Sequence, residues 1–168
     1  MARLNDAEGP VAETPRRRIT VVNDNPQFLE LMSTLLEEGS GYQTTTIDGD
    51  GLTSLAPISE SRPELLIIDL VMRPDGISGW DVVTGVRKDP ELSLVPIIVC
   101  TGDVYTVRQR AAELAEAPRV ELLVKPFNID ALEEMVTRLL TVNARAGSPG
   151  TRPSGRRRAE PRSGAAAS

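Results

Sequence analysis

At 168 residues the chain has room for one domain with a real core, and its 3% aromatic content means that core is built from Leu, Ile and Val. With no histidine and one cysteine, imidazole acid–base chemistry, Ser-His triads, imidazole metal sites and an internal disulfide are all excluded, so any metal is held by oxygens and is a hard cation such as Mg²⁺. Residues 19–142 carry 9 Lys/Arg against 20 Asp/Glu while residues 143–168 carry 6 Arg against one Glu, and an acidic domain with a basic tail is not in itself a nucleic-acid-binding fold.

Residues 1–17 are polar, contain Pro10 and Pro15, and show no periodicity; a disordered arm is expected there. They contain no apolar signal-peptide core, and no run in the chain is long enough to span a bilayer, which implies a cytoplasmic protein. RITVV (18–22) predicts a first strand, broken by NDNP. Pro26 suits the first turn of a helix capped by Asn25 or Asp24, and Phe28, Leu31, Met32, Leu35 and Leu36 recur at helical spacing up to Gly39 and Gly41. YQTTTI (42–47) predicts a second strand, and a weak helix is expected across 50–60 around Pro57. ELLIIDLV (64–71) is apolar throughout except at Asp69, the pattern of a strand buried on both faces. After the loop MRPDGISG, Trp80, Val83 and Val86 mark a helix ending near Lys88. LVPIIVCT (94–101) predicts a fourth strand, followed by a helix through Val104, Val107, Ala111 and Leu114. RVELLVKPF (119–127) holds the fifth, and Asn128 or Asp130 starts a last helix with Leu132, Met135, Val136, Leu139 and Leu140 on one face. From residue 143 the composition of Ala, Arg, Gly, Ser and Pro predicts disorder.

Strands alternating with helices imply an α/β domain over 18–142: a doubly wound, five-stranded parallel sheet of order 2-1-3-4-5. In that order the carboxyl ends of strands 1, 3, 4 and 5 carry Asn23/Asp24, Asp69, Cys100/Thr101 and Lys125, and ligands of such sheets bind at that edge. Two carboxylates one strand apart repel each other, and a hard divalent ion with Lys125 would resolve the repulsion. Such a site suits a phosphoryl group: an aspartate can form an aspartyl-phosphate, and a cation, an ammonium and a hydroxyl can neutralise or hydrogen-bond the transferring oxygens.

VVNDNP, LLIIDLVM, IIVCTG and LLVKPF together resemble the signature blocks of the response-regulator receiver family of two-component signalling, in family order. The resemblance implies Asp69 as phosphoacceptor, with Thr101 and Lys125 reading the phosphoryl group. It implies Mg²⁺ held by Asp24, Asp69 and the Val71 carbonyl, with Asn23 acting through water. Gly102 would leave room for the phosphoryl group, and Lys125-Pro126 matches a bond usually cis in the family. The implied partners are a histidine kinase or phosphotransfer protein and a downstream protein target, and a homodimer is compatible with it. With no DNA-binding segment after residue 142, a stand-alone regulator is expected, signalling by protein contact or onward phosphotransfer. It would be no enzyme beyond its own phosphorylation and dephosphorylation.

The sequence departs from the family at three places. Asn23 stands where most members have a second acid, so weaker Mg²⁺ binding is expected. Leu122 replaces the usual switch aromatic, and the loop from Asp69 to Gly79 looks about two residues long. Asn23 and Leu122 favour an alternative, a pseudo-receiver binding module of the same fold, and the intact Asp24, Asp69, Thr101 and Lys125 argue against it. Asp24 could also be only a helix cap, Lys125 an ordinary surface lysine, and Asp69 with Lys125 a structural salt bridge. A dehalogenase-type phosphatase would need an acid at position 71, which is Val, and a flavodoxin would need a Ser/Thr/Gly-rich loop where NDNP stands.

Overall fold

The computed structural model describes residues 15–72 and 76–146. Strands β1 (Arg18–Asn23), β2 (Gln43–Asp48), β3 (Leu65–Ile68), β4 (Ile97–Thr101) and β5 (Val120–Val124) form one sheet in the order β2-β1-β3-β4-β5, with every pairing parallel. The helices are α1 (Pro26–Thr34), α2 (Ala56–Glu60), α3 (Gly79–Lys88), α4 (Val104–Gln109), α5 (Ala111–Glu116) and α6 (Ile129–Ala146). This is the fold class and strand order expected from the sequence.

The central strands lack polar alternation because both faces of the sheet are covered. Leu65 and Ile67 of β3 join Ile19, Val21, Ile98 and Cys100 beneath α1 and α6, against Met32, Leu132 and Val136. Leu66 and Ile68 point the other way, with Val22, Ile97 and Val99, against Ile58 of α2, Val82, Val83 and Val86 of α3, and Leu114 of α5. Burying one such side chain contributes about 1.5–3 kcal/mol, so a strand as short as β3 can anchor the sheet. Thr20 is buried among these residues and is satisfied by a 2.7 Å hydrogen bond to the Ser61 hydroxyl.

Several expectations change in detail. Asn25, not Asp24, caps α1: its Oδ1 accepts from the Gln27 and Phe28 amides at 3.0 and 3.2 Å. The weak helix over 50–60 resolves into a short 3₁₀ turn, Gly49–Gly51, and α2 with Pro57 in its first turn. The helix expected from Val104 to Leu114 divides at Arg110, whose backbone (φ −105, ψ 13) leaves helical geometry. Its guanidinium lies over the Trp80 ring at 4.7 Å. No residue of α4 is buried, so packing does not force the two halves into one rod. Arg17, assigned by composition to a disordered arm, is held in the fold: Nη1 lies 3.0 Å from Glu64 Oε1, and Nη2 donates to the Leu140 carbonyl. Likewise α6 runs to Ala146, past the boundary read at residue 142. The rest of the arm, residues 1–14, and of the tail, 147–168, lie outside the described residues, as do 73–75 of the loop read as lengthened.

Candidate functional site

The site lies where four strands end. β3 stops at Ile68, paired with Val22 and Val99, so Asp69 is the first residue beyond the ladder. Its amide still donates to the Val22 carbonyl at 3.3 Å, which fixes the carboxylate at the sheet rim. β1 ends at Asn23, buried to 1%, and Asp24 follows it, half-buried. β4 ends at Thr101, also 1% exposed, and the Lys125 amide donates to the Thr101 carbonyl at 2.9 Å, tying the end of β5 to β4. The Lys125–Pro126 peptide is cis.

Asp69 is at the centre of the hydrogen bonding. Its Oδ2 accepts from Lys125 Nζ at 2.8 Å and from Asn23 Nδ2 at 3.4 Å, and its Oδ1 accepts from the Val71 amide at 3.1 Å. The side chain is 12% exposed, so these donors replace most of the water an aspartate would otherwise keep. Asn23 is oriented by its other atom, since Oδ1 accepts from the Asn25 amide at 2.8 Å. That bond turns the amide nitrogen towards Asp69.

Thr101 Oγ1 accepts from the Asp103 amide at 3.2 Å. Asp103 caps α4, accepting from the Tyr105 and Thr106 amides, and its carboxyl is held below the usual range mainly by the Thr106 hydroxyl. Gly102 is exposed, and a Cβ there would meet only Lys125 Cβ, at 3.8 Å, so the space beside the lysine is open. Below the rim, burial pushes the Cys100 thiol up to about 12, with Lys125 acting the opposite way and Asp69 reinforcing the shift.

Leu122 lies away from the rim. It pairs with Val99 and faces the α3/α5 side of the sheet, in a groove of about 260 Å³ with Val107, Ala111, Leu114 and Ala115. An aliphatic side chain is therefore half-buried where the family carries an aromatic.

Two features were missed in the sequence. Asn23 serves as a donor to Asp69, where the sequence reading had a missing charge and a contact to Mg²⁺ through water. Phe28, read only as a core position of α1, places its ring 4.1 Å from Lys125 Nζ. Its place in the first helical turn after the NDNP break was the available signal.

Among the described residues no group of three or more acids, Cys or His forms a metal cage. The donor set nonetheless fits Mg²⁺, which takes one or two carboxylates and keeps waters; Asp24 and Asp69, at the ends of adjacent strands, supply hard oxygens. No helix among the described residues is long and apolar enough to cross a membrane.

A parallel 2-1-3-4-5 sheet with an aspartate and a lysine paired at its carboxyl edge is a doubly wound α/β domain with polar groups gathered where such folds bind ligands. The response regulator receiver domain model matches residues 19–137, and the chain belongs to that family of two-component signalling proteins. The DNA-binding response regulator MtrA of Mycolicibacterium smegmatis is 39% identical over 95 residues, covering 56% of this chain and 39% of MtrA, so the chain spans well under half of that relative. Chemotaxis protein CheY-3 of Vibrio cholerae is 27% identical over 122 residues, 73% of this chain and 90% of CheY-3. The receiver domain of sensor histidine kinase PA1611 from Pseudomonas aeruginosa, solved with magnesium in its active-site cleft, superposes with TM-score 0.64 at 22% identity over 76% of this chain and 99% of that one, a likeness of fold.

Proposed function

We propose that the domain is a phosphorylation-gated switch, accepting a phosphoryl group on Asp69 from a phosphohistidine of a kinase or phosphotransfer protein. The observation that carries this reading is the Lys125 ammonium 2.8 Å from Asp69 Oδ2 at the carboxyl edge of the sheet, beside Asn23 and Asp24. A carboxylate oxygen of Asp69 attacks phosphorus, the P–N bond breaks, and its electron pair leaves with the imidazole, giving the acyl phosphate. Asp24, Asp69 and the Val71 carbonyl, with Asn23 acting through water, would hold Mg²⁺, which would supply charge neutralisation at the phosphoryl oxygens. Lys125 stays beside the acceptor and pairs with the added charge, and the Thr101 hydroxyl, which accepts from the Asp103 amide, can donate its own proton to a phosphoryl oxygen. The open space at Gly102 gives that group room. The change then biases the face carrying α4 and β5 between two arrangements with different affinity for a protein target or a second copy. In this reading the domain acts in the cytoplasm, with no catalysis beyond its own phosphorylation and dephosphorylation.

A second reading, a binding module that never takes up phosphate, is favoured by the Asn23 amide donating to Asp69 and by Leu122 in the switch position. Intact-mass measurement after acetyl phosphate and Mg²⁺ separates the two. One added phosphoryl group, absent in Asp69→Asn, supports the switch; an unmodified wild type refutes it.

A further inference from the structure

Phe28 stands in the first turn of α1, where the Asn25 cap fixes the backbone and the half-buried ring packs against the α1/α6 side of the core. Its face also lies 4.1 Å from Lys125 Nζ, and the same ammonium lies 2.8 Å from Asp69 Oδ2. We propose that Phe28 is a positioning residue for phosphoryl transfer, its ring face holding the Lys125 ammonium over the acceptor while the charge of Asp69 moves outward. This inference rests on the reading of Asp69 as phosphoacceptor.

The need for a second contact follows from the chemistry of the acceptor. Before transfer, Lys125 is held by a charged oxygen. Afterwards one carboxylate oxygen has become the bridging atom of an acyl phosphate and carries little charge, so the original ion pair weakens. A lysine has four rotatable bonds, and with its side chain 26% exposed it would otherwise swing into water. An aromatic face attracts a cation through its quadrupole, and it does so whatever the charge on Asp69. The ammonium has three N–H directions, so a contact to the ring and one to Asp69 leave a third for a phosphoryl oxygen. An aliphatic residue at position 28 would give the same apolar wall without the attraction, which separates positioning from packing.

The test compares Phe28→Leu and Phe28→Tyr with wild type, in the full chain. Rates of phosphorylation by acetyl phosphate with Mg²⁺ are measured at a temperature where circular dichroism shows all three folded. Phe28→Leu is expected to slow phosphorylation roughly 3- to 30-fold, and Phe28→Tyr to stay within about twofold of wild type. In NMR spectra the Lys125 side-chain methylene protons are expected upfield in wild type and Phe28→Tyr, and at ordinary positions in Phe28→Leu. Equal rates for wild type and Phe28→Leu, or a Phe28→Tyr as slow as Phe28→Leu, overturn the inference. A wild type that takes up no phosphoryl group overturns the functional reading instead. The Lys125 resonances then decide the contact alone, and it falls if Phe28→Leu leaves them unmoved.

Discussion

Replacing Asn23 by aspartate restores the acid that most receivers carry, and the structure sets the size of the effect. The new carboxylate keeps one oxygen on the Asn25 amide and puts the other where Nδ2 now donates, 3.4 Å from Asp69 Oδ2. Two unit charges at 3.4 Å repel by about 5 kcal/mol at an effective dielectric of ~20. Lys125, 2.8 Å from the same oxygen, offsets part of that. We therefore expect Asn23→Asp to lose about 2–3 kcal/mol in metal-free buffer, and its Tm to fall by roughly 10 °C. Saturating Mg²⁺ should recover about half of the loss, because a cation between the carboxylates turns repulsion into ligation. If the added acid tightens Mg²⁺ about tenfold, the metal stabilises the variant by ~1.4 kcal/mol more than wild type. Scanning calorimetry in EDTA and in MgCl₂ reads both numbers. Equal Tm values in EDTA, or an equal rise with Mg²⁺, would show that residue 23 does not face the cation site.

Gly79 opens α3 against the backbone beyond β3: a Cβ there would lie 1.9 Å from the Asp69 carbonyl oxygen and 2.7 Å from Leu70 Cα. Neither atom can rotate away, so Gly79→Ala should cost about 3 kcal/mol or more in urea denaturation, and a loss below about 0.5 kcal/mol would contradict the packing. With its folded value pushed to about 12 from 9.0, the Cys100 thiol stays protonated when the unfolded thiol ionises. Its contribution to stability is therefore neutral below pH 9.0 and becomes unfavourable as pH rises from there towards 12. Iodoacetamide at about pH 8 should label Cys100 only after denaturation, and rapid labelling of the native protein would refute its burial.

The sequence by itself determined the class of fold, the sheet order and the four strand ends that matter. Runs such as LLII and IIVC can satisfy a sheet only when both faces are covered, and the alternation with helices makes the sheet parallel. Once the order is 2-1-3-4-5, Asp69, Thr101 and Lys125 are brought to one edge by topology alone. The break at Arg110 was not legible, because Val104, Val107, Ala111 and Leu114 keep helical spacing across it, and the Trp80 ring that meets Arg110 comes from α3. Nor were the anchoring of Arg17 by Glu64 and Leu140, the turn of the Asn23 amide towards Asp69, or the ring of Phe28 against Lys125. Each depends on side chains from segments distant in the chain meeting at a particular distance and angle. Periodicity and composition report which face a residue takes, whereas hydrogen bonds and cation–ring contacts depend on a few tenths of an ångström that only the packed structure decides.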